Sequence, residues 1–222
     1  MSKSLVISHY NEDLSWLTDV DKDISIFLYT KSDTIPHIES ENIKIEILEN
    51  IGKEQQTYFY HIVNNYDNLT DYVYFSQAKF DDHSHDFMDK LNNNFIGGLS
   101  DFNLITTVYG PINTSMYHRH INHKYGGGLN YHSISDKVFI DPWNDSEALA
   151  NINYIFDNLP ELNFDKQNWV FNANGMYGTT KEKIKNFNLD FYKKCESFFR
   201  TKPDNLNMLE FAFERINQII LI

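Results

Sequence analysis

The chain has 222 residues, 41% of them hydrophobic, and the aromatic residues comprise 17 Phe, 14 Tyr and 3 Trp. This content is sufficient for the core of one domain and excludes disorder for most of the length. With 31 acidic and 19 basic side chains the net charge is −12, so a general binder of nucleic acid or of anionic membranes is excluded, because phosphate would be repelled.

The sequence predicts a cytoplasmic protein. The apolar residues 5–7 are followed at once by polar ones, so no signal peptide is expected, and no apolar run reaches the length of a membrane-spanning helix. The single cysteine, Cys195, excludes an internal disulfide. Its neighbours Lys193 and Lys194 favour a lowered thiol pKa, but no partner motif for a nucleophile accompanies it, so a structural thiol is predicted.

The first half of the chain alternates strand and helix patterns. Short apolar or alternating runs predict three strands, at residues 5–9, 23–29 and 43–48, the third with one face in solvent. Residues 52–69 follow the period of an amphipathic helix, and residues 71–77 return to strand character. This order predicts a βαβ unit in a mostly parallel sheet, with ligands outside the carboxyl ends of the strands, near residues 9–11 and 76–78.

The second half is less regular. The pattern predicts a helix over residues 87–94, a strand over 102–108 and a helix over 145–159. Residues 109–136 are expected to be irregular, and 168–174 are expected to form the last strand. From residue 180 onward the pattern is helical, with one apolar stripe formed by Leu209, Phe213, Ile216 and Ile220. The chain is therefore expected to be a single α/β domain with a helical C-terminal region.

A dense group of potential metal ligands follows the fourth predicted strand. Asp81, Asp82 and His83 could clasp a hard divalent cation, Mn²⁺ or Mg²⁺, that carries a diphosphate. The competing interpretation is that Asp82 or Ser84 caps the helix that follows. Both interpretations remain open from the sequence alone.

A histidine-rich segment lies in the irregular middle of the chain. His118, His120 and His123 have an H-x-H-x-x-H spacing that could bind zinc in a hydrolase, although no fourth ligand stands at a convincing distance. Arg119 and Lys124 make the same segment locally basic, which favours a phosphate-binding loop as much as a solvated one.

Two carboxylate-bearing segments could take part in catalysis. Lys53 and Glu54, at a predicted helix start, could hold a phosphate and a hydroxyl group, or could serve as a helix cap. Glu210 and Glu214 lie one turn apart on the last predicted helix, where either could act as a general base or belong to a solvated face.

Four blocks occur in an order that resembles a family of uncharacterised, glycosyltransferase-like proteins. The blocks are VISHYNEDLSWL (6–17), GKEQQTYFYHIVNNYDNL (52–69), YVYFSQAKFDDHSHDF (72–87) and the later GMY (175–177) with a Leu-Glu pair (209–210). Residues 92–168 match poorly. This resemblance implies a GT-A-like, Rossmann-type α/β/α sandwich over residues 1–222, with a nucleotide-binding half at 1–110 and an acceptor half at 111–222.

The resemblance also implies a function. A sugar would pass from a nucleotide-sugar donor to a hydroxyl of a glycan or lipid-linked acceptor, as in polysaccharide biosynthesis. The implied donor-binding residues are His9, Tyr10, Asn11, Glu12, Lys53, Gln77, Arg119 and Lys124. Asp81, Asp82 and His83 would hold the metal, or Lys53, Arg119 and Lys124 would neutralise the diphosphate without one, and Glu210 would be the base. The alternatives are a non-catalytic nucleotide- or carbohydrate-binding protein of the same fold and the zinc hydrolase.

Overall fold

The structure is a computed structural model that describes every residue except 39, 100–101, 109–115, 123–144, 163–167, 173–174 and 207–208. It describes the backbone alone at residues 102–108, 116–122, 145–149, 152–153, 168–172, 215 and 218–219.

The described residues form nine strands and six α-helices. The strands are β1 (Lys3–His9), β2 (Ile24–Thr30), β3 (Ile43–Ile47), β4 (Tyr72–Gln77), β5 (Gly97–Gly98), β6 (Phe102–Val108), β7 (Met116–Asn122), β8 (Asn168–Asn172) and β9 (Tyr177–Thr180). The helices are α1 (Lys53–Asn65), α2 (Phe87–Asn92), α3 (Asp145–Asn158), α4 (Lys181–Ile184), α5 (Leu189–Thr201) and α6 (Leu209–Leu221). Short 3₁₀ helices lie at Ser15–Asp19 and Tyr66–Asn68.

The main sheet has six strands in the order β3-β2-β1-β4-β9-β5. The first four are mutually parallel, and β9 runs antiparallel to both β4 and β5. The mixed α/β fold with a mostly parallel sheet that the sequence predicts is therefore confirmed. Because the chain passes from β1 out to β3 and then returns to β4 on the other side of β1, the strand order reverses between β1 and β4.

Helices cover both faces of this sheet, and successive strand residues point into the two cores in turn. Along β1, Val6 enters a core shared with α1, α3, α5 and α6, whereas Leu5 and Ile7 enter a core shared with α2 and the 3₁₀ helix Ser15–Asp19. The apolar stripe predicted on the last helix is buried: Leu209, Phe213, Ile216 and Ile220 have no exposed surface.

The expectation of an irregular segment at residues 109–136 is wrong in part, because Met116–Asn122 is β7. This strand pairs antiparallel with β6, which also pairs with β8, and the three form a separate sheet. Its sequence, MYHRHIN, is too polar for a periodicity rule to identify, so strand pairing rather than local pattern defines it.

The expectation that the strand at 168–174 is the last one is also wrong, because β9 follows it. The sequence of β9 is YGTT, with a glycine that weakens the strand signal. That glycine is required by packing: a Cβ atom on Gly178 would lie 2.4 Å from the carbonyl oxygen of Phe95. Close approach of the Phe95 backbone therefore explains why this strand contains a glycine, at a cost to its strand propensity.

No helix among the described residues is both long enough and apolar enough to cross a membrane.

A buried histidine connects α1 to the sheet. His61 is 1% exposed, and its Nδ1 lies 3.0 Å from the hydroxyl of Tyr29 on β2. Rings of Phe27 and Phe75 pack edge-on against the imidazole. Burial lowers the pKa of His61 to about 3, so the ring is neutral in the folded protein at ordinary pH.

This histidine makes folding stability depend on pH. The unfolded chain binds a proton at His61 below its ordinary pKa of 6.5, but the folded chain does not do so until about pH 3. Stability contributed by the neutral ring is therefore lost as pH falls from 6.5, by about 2 kcal/mol at pH 5. Urea unfolding at pH 8 and pH 5 should show this loss in the wild type and a smaller one in His61→Gln, which keeps an acceptor for Tyr29. Equal losses in both proteins would contradict the assignment.

Candidate functional site at the carboxyl edge of the sheet

The candidate site lies at the carboxyl edge of the parallel strands, where the strand order reverses. In open α/β sheets, ligands bind in the crevice that forms at such a point, since the loops after the two central strands diverge there. Here the crevice lies between the segment after β1, residues 10–13, and the segment after β4, residues 78–81. Both segments contain residues that the sequence predicts to bind the donor or a metal.

The end of β1 is fixed by His9. The Nε2 atom of His9 donates to the carbonyl oxygen of Glu12 (3.3 Å), and Nδ1 is hydrogen-bonded to Oγ1 of Thr30 at 3.0 Å. His9 is 6% exposed. Both ring nitrogens are thus engaged within the protein, and His9 shapes the loop rather than presenting a free nitrogen to a ligand.

The rest of this loop is held by short polar contacts. The hydroxyl of Ser32, after β2, donates to Oδ1 of Asn11 at 2.7 Å. The backbone N–H of Tyr10 donates to a carboxylate oxygen of Glu12, also at 2.7 Å, and the ring of Tyr10 is about half exposed. Of the four predicted residues, His9, Asn11 and Glu12 therefore support the loop through hydrogen bonds, and the side chain of Tyr10 is left exposed.

A pocket of about 250 Å³ lies between the two loops. It is lined by Glu12, Asp13, Trp16, Ala78, Lys79, Phe80 and Asp81. Trp16 joins its two sides, since its indole N–H donates to the carbonyl oxygen of Ala78 (3.0 Å) and its ring meets Phe80 edge-on at 4.7 Å. Trp16 was not among the predicted site residues, although it belongs to the first block of the resemblance. Gln77, at the end of β4, is half-buried beside Ser8 of β1.

The acidic residues around this pocket are in different states. The side chain of Asp13 accepts a hydrogen bond from the N–H of Ser15 (3.1 Å), and hydrogen bonds from Ser15 lower its pKa. Asp82 forms an ion pair with Lys79 at 2.9 Å, and this contact lowers the pKa of its carboxyl group. Glu12 and Asp81 also line the pocket, and one carboxylate oxygen of Glu12 accepts the backbone N–H of Tyr10.

The predicted metal triad does not form a ready-made ligand group. Asp81 lines the pocket, whereas Asp82 is bound to Lys79, and His83 is half-buried in the turn that follows Phe80. Within the described part of the chain, no three His, Cys, Asp or Glu side chains converge on a common point. The metal assignment stays a prediction, with Glu12 and Asp81 as the carboxylates that share a pocket.

A buried lysine lies at the same carboxyl edge of the sheet, at the end of β2. Lys31 directly follows β2 and is 6% exposed, and its ammonium group donates to the backbone carbonyls of Ile51 (2.5 Å) and Lys53. Burial lowers the pKa of Lys31 to about 8, while the nearby carboxylate of Glu54 acts in the opposite direction. The ammonium thus holds the turn that begins α1.

That turn has an uncommon backbone. Gly52 and Lys53 both have left-handed φ angles, +58° and +48°. A Cβ atom on Gly52 would lie 2.4 Å from the ring of Phe199, so glycine is required there by space as well as by φ. Lys53 lacks that freedom, and holding its backbone in this conformation costs about 1 kcal/mol. Strained residues of this kind cluster at functional sites.

The same corner brings together two predicted site residues that are far apart in sequence. The ammonium of Lys53 lies 3.8 Å above the ring of Phe211, in the first turn of α6. The neighbouring Glu210 is 3.9 Å from the ammonium of Lys202, and its charge helps to keep Lys31 protonated. Lys53 and Glu210 therefore stand where the N-terminal ends of α1 and α6 meet.

A chain of buried amides lies below this corner. Asn217 on α6 donates to Oε1 of Gln55, and Nε2 of Gln55 donates to the carboxylate of Glu54 at 3.3 Å. The hydroxyl of Tyr177 on β9 donates to the carbonyl oxygen of Glu214 (2.7 Å), and Glu214 is 9% exposed. These contacts orient Glu54 and make α1, α6 and β9 a rigid unit.

Several predicted site residues have no described side chain. Arg119, His118 and His120 are on β7, where the backbone alone is described, and Lys124 and His123 lie outside the described residues. The zinc and basic-loop interpretations therefore stay predictions.

Cys195 is fully buried on α5, and burial raises the pKa of its thiol, so a structural thiol is confirmed and the lowered pKa expected from its lysine neighbours is wrong.

Comparison with known proteins identifies a family. Residues 5–221 match the family described as protein of unknown function DUF3431. The chain belongs to this DUF3431 family. No curated protein and no solved structure matches it. The DUF3431 match extends from β1 to the end of α6, so it includes both the pocket between β1 and β4 and the corner formed by α1 and α6.

Gly175 provides a test of the amide chain. It precedes β9 with φ +61°, and a Cβ atom there would lie 2.4 Å from Nε2 of Gln55 and 3.3 Å from Oε1 of Glu54. Gly175→Ala should therefore lower the free energy of unfolding by about 2–5 kcal/mol, because backbone strain and displacement of Gln55 add. Urea unfolding measures this loss.

A double variant separates the two causes. In Gln55→Ala the obstructing amide is absent, so the added cost of Gly175→Ala in that background should fall to the cost of the left-handed φ alone, about 1–2 kcal/mol. Full additivity of the two substitutions would contradict the contact between Gly175 and Gln55.

Proposed function

We propose that this DUF3431 protein is a glycosyltransferase that moves a sugar from a nucleotide-sugar donor to a hydroxyl of a glycan or lipid-linked acceptor. The observation that carries the proposal is the shared pocket of Glu12 and Asp81. These residues lie in different sequence blocks, they were predicted separately as donor-binding and metal-binding, and they line one crevice at the point where strand order reverses.

The chemistry of the pocket suits the polar part of a nucleotide sugar. The carboxylate of Glu12 can accept hydrogen bonds from ribose or sugar hydroxyls, and the apolar side formed by Trp16 and Phe80 can pack against a ring. Glu12 and Asp81 together supply the oxygen ligands that Mn²⁺ or Mg²⁺ prefers, and such an ion would offset the charge of the diphosphate.

The corner of α1 and α6 offers a cation for the diphosphate and a carboxylate for the acceptor hydroxyl. Lys53 adds an exposed positive charge at the N-terminal end of α1, where the helix dipole also favours an anion. Glu210, 15% exposed and next to Phe211, is the proposed base that removes the proton of the acceptor hydroxyl. Neutralisation by Lys53, with Arg119 and Lys124, is the metal-free alternative within this mechanism.

The first test is binding of nucleotides. Thermal unfolding should be followed with UDP, GDP, CMP or dTDP, each with Mn²⁺, Mg²⁺ or EDTA. One nucleotide at about 100 times its Kd should stabilise the fold by roughly 2.7 kcal/mol, which is a rise in Tm of several degrees. Loss of the rise in EDTA and in Asp81→Asn would support a metal at the pocket.

A rise that persists in EDTA has a different expectation. It should then be reduced in Lys53→Gly, because this variant removes the ammonium but keeps the left-handed φ accessible. A Lys53→Gly protein that binds as the wild type does would remove Lys53 from the donor site. No rise with any nucleotide would refute the transferase.

The second test separates binding from catalysis. With the donor identified, Glu210→Gln should lower the rate of sugar transfer by about 10²–10⁴-fold while the thermal shift is unchanged. Without an acceptor, the rate of donor hydrolysis should fall by a similar factor. The matched control is Glu182→Gln, an exposed carboxylate on α4, which should retain full activity. Donor binding with neither transfer nor hydrolysis in the wild type would instead favour a non-catalytic binding protein.

A further inference from the structure

One edge of the main sheet ends in an open strand. Among the strands that the structure describes, β3 pairs with β2 alone and stands last in the sheet order. Lys44, Glu46 and Ile47 are exposed, and Ile47 retains 54% of its accessible surface. The expectation that one face of this strand lies in solvent is confirmed by Lys44 and Glu46, and Ile43 and Ile45 on the other face are partly buried. Open edges of this kind are templates for pairing with another strand.

The backbone of β3 shows which groups face outward. The carbonyl oxygen of Asn42 accepts from Ile26 of β2 (2.7 Å), and the N–H of Leu48 donates to Thr30 of β2 (2.8 Å). Even-numbered residues of this strand therefore direct their N–H and C=O groups to β2, and odd-numbered residues direct theirs away, because the two sides alternate along a strand. The outward groups belong to Ile43, Ile45 and Ile47. The N–H of Ile43 makes a long turn contact with Ser40 at 3.5 Å.

The side chains of β3 are sorted by chemistry between its two faces. Lys44 and Glu46 are on the face of α1, where the ammonium of Lys44 lies 5.2 Å above the ring of Phe27 and Glu46 accepts a hydrogen bond from Tyr60. The three isoleucines are on the other face, and Ile43 and Ile45 pack against the core there. The strand thus has one charged face and one apolar face.

We propose that a second copy of this chain pairs with β3 through an antiparallel, two-fold symmetric contact centred on Ile45. The sequence Ile-Lys-Ile-Glu-Ile is self-complementary in this arrangement: Ile43 is opposite Ile47 of the other copy, and Lys44 is opposite Glu46. The outward groups of the isoleucines form the hydrogen-bonded pairs of the ladder. Lys44 and Glu46 occupy the alternate pairs, in which opposing side chains are closest.

The charge pattern selects this occupant and this direction. In a parallel pairing in register, Lys44 would face Lys44 and Glu46 would face Glu46, which is unfavourable. In the antiparallel pairing each dimer has two Lys44–Glu46 contacts and joins the two sheets into one of twelve described strands. The inference does not rest on the proposed glycosyltransferase activity, because no residue of the pocket or of the α1–α6 corner takes part.

The test uses charge reversal on the strand. Sedimentation velocity over the micromolar range should show that the wild type is a dimer. Lys44→Glu places two acids opposite two acids, and Glu46→Lys places two bases opposite two bases, so each variant alone should associate at least about tenfold more weakly. An equimolar mixture of the two variants should dimerise again, because every opposing pair in the mixed dimer is oppositely charged.

The controls keep the test independent of folding and of net charge. Lys22→Glu and Asp19→Lys make the same changes of net charge at exposed positions outside β3 and should remain dimeric. Far-ultraviolet circular dichroism should show that all four variants are folded. A monomeric wild type, a dimer that survives both reversals, or a mixture that stays monomeric would each overturn the proposal. A dimer that survives both reversals would mean that the two copies associate through a different interface. A mixture that stays monomeric would leave β3 to a different partner.

Discussion

The buried ammonium group of Lys31 joins the end of β2 to the start of α1. It donates to the carbonyl oxygens of Ile51 and Lys53 in the turn that begins the helix. Burying a charge is costly unless hydrogen bonds and nearby opposite charges compensate for it, and Glu54 and Glu210 provide those charges. The position of α1, and with it the whole corner near α6, therefore depends on one lysine that is too deeply buried to be a freely moving surface cation.

The helix fixed in this way carries an unusual number of buried polar groups. Gln55, Gln56 and Thr57 have no exposed surface, and they connect α1 to α6, α5 and β1 through Asn217, Glu196 and Ser8. Polar contacts of this kind specify direction and register more strictly than apolar packing does. The first turns of α1 are therefore arranged for orientation, and the aromatic residues further along the helix provide its burial.

The sequence predicts those parts of the fold whose pattern is local. The strands that become β1, β2 and β4 are short apolar runs, and α1 has an apolar stripe, so each is recognisable from periodicity. Strands β7 and β9 are not, because pairing with β6 and close packing against residue 95 define them. In the site, Glu12 and Asp81 follow predicted strands. The meeting of Lys53 with Phe211 and Glu210 is a contact between distant segments, and Lys31 resembles an ordinary solvated lysine until its burial is known.

The single thiol of the chain gives the fold an internal reporter. Cys195 is enclosed by the core between α1, α5 and α6, and its raised pKa keeps it in the unreactive thiol form. A thiol reagent can reach it only when that core opens, so the rate of labelling measures how often the packing around α5 opens. Any ligand that binds the folded state slows this opening, so the native cysteine is a built-in probe for finding ligands whose chemistry is not known in advance.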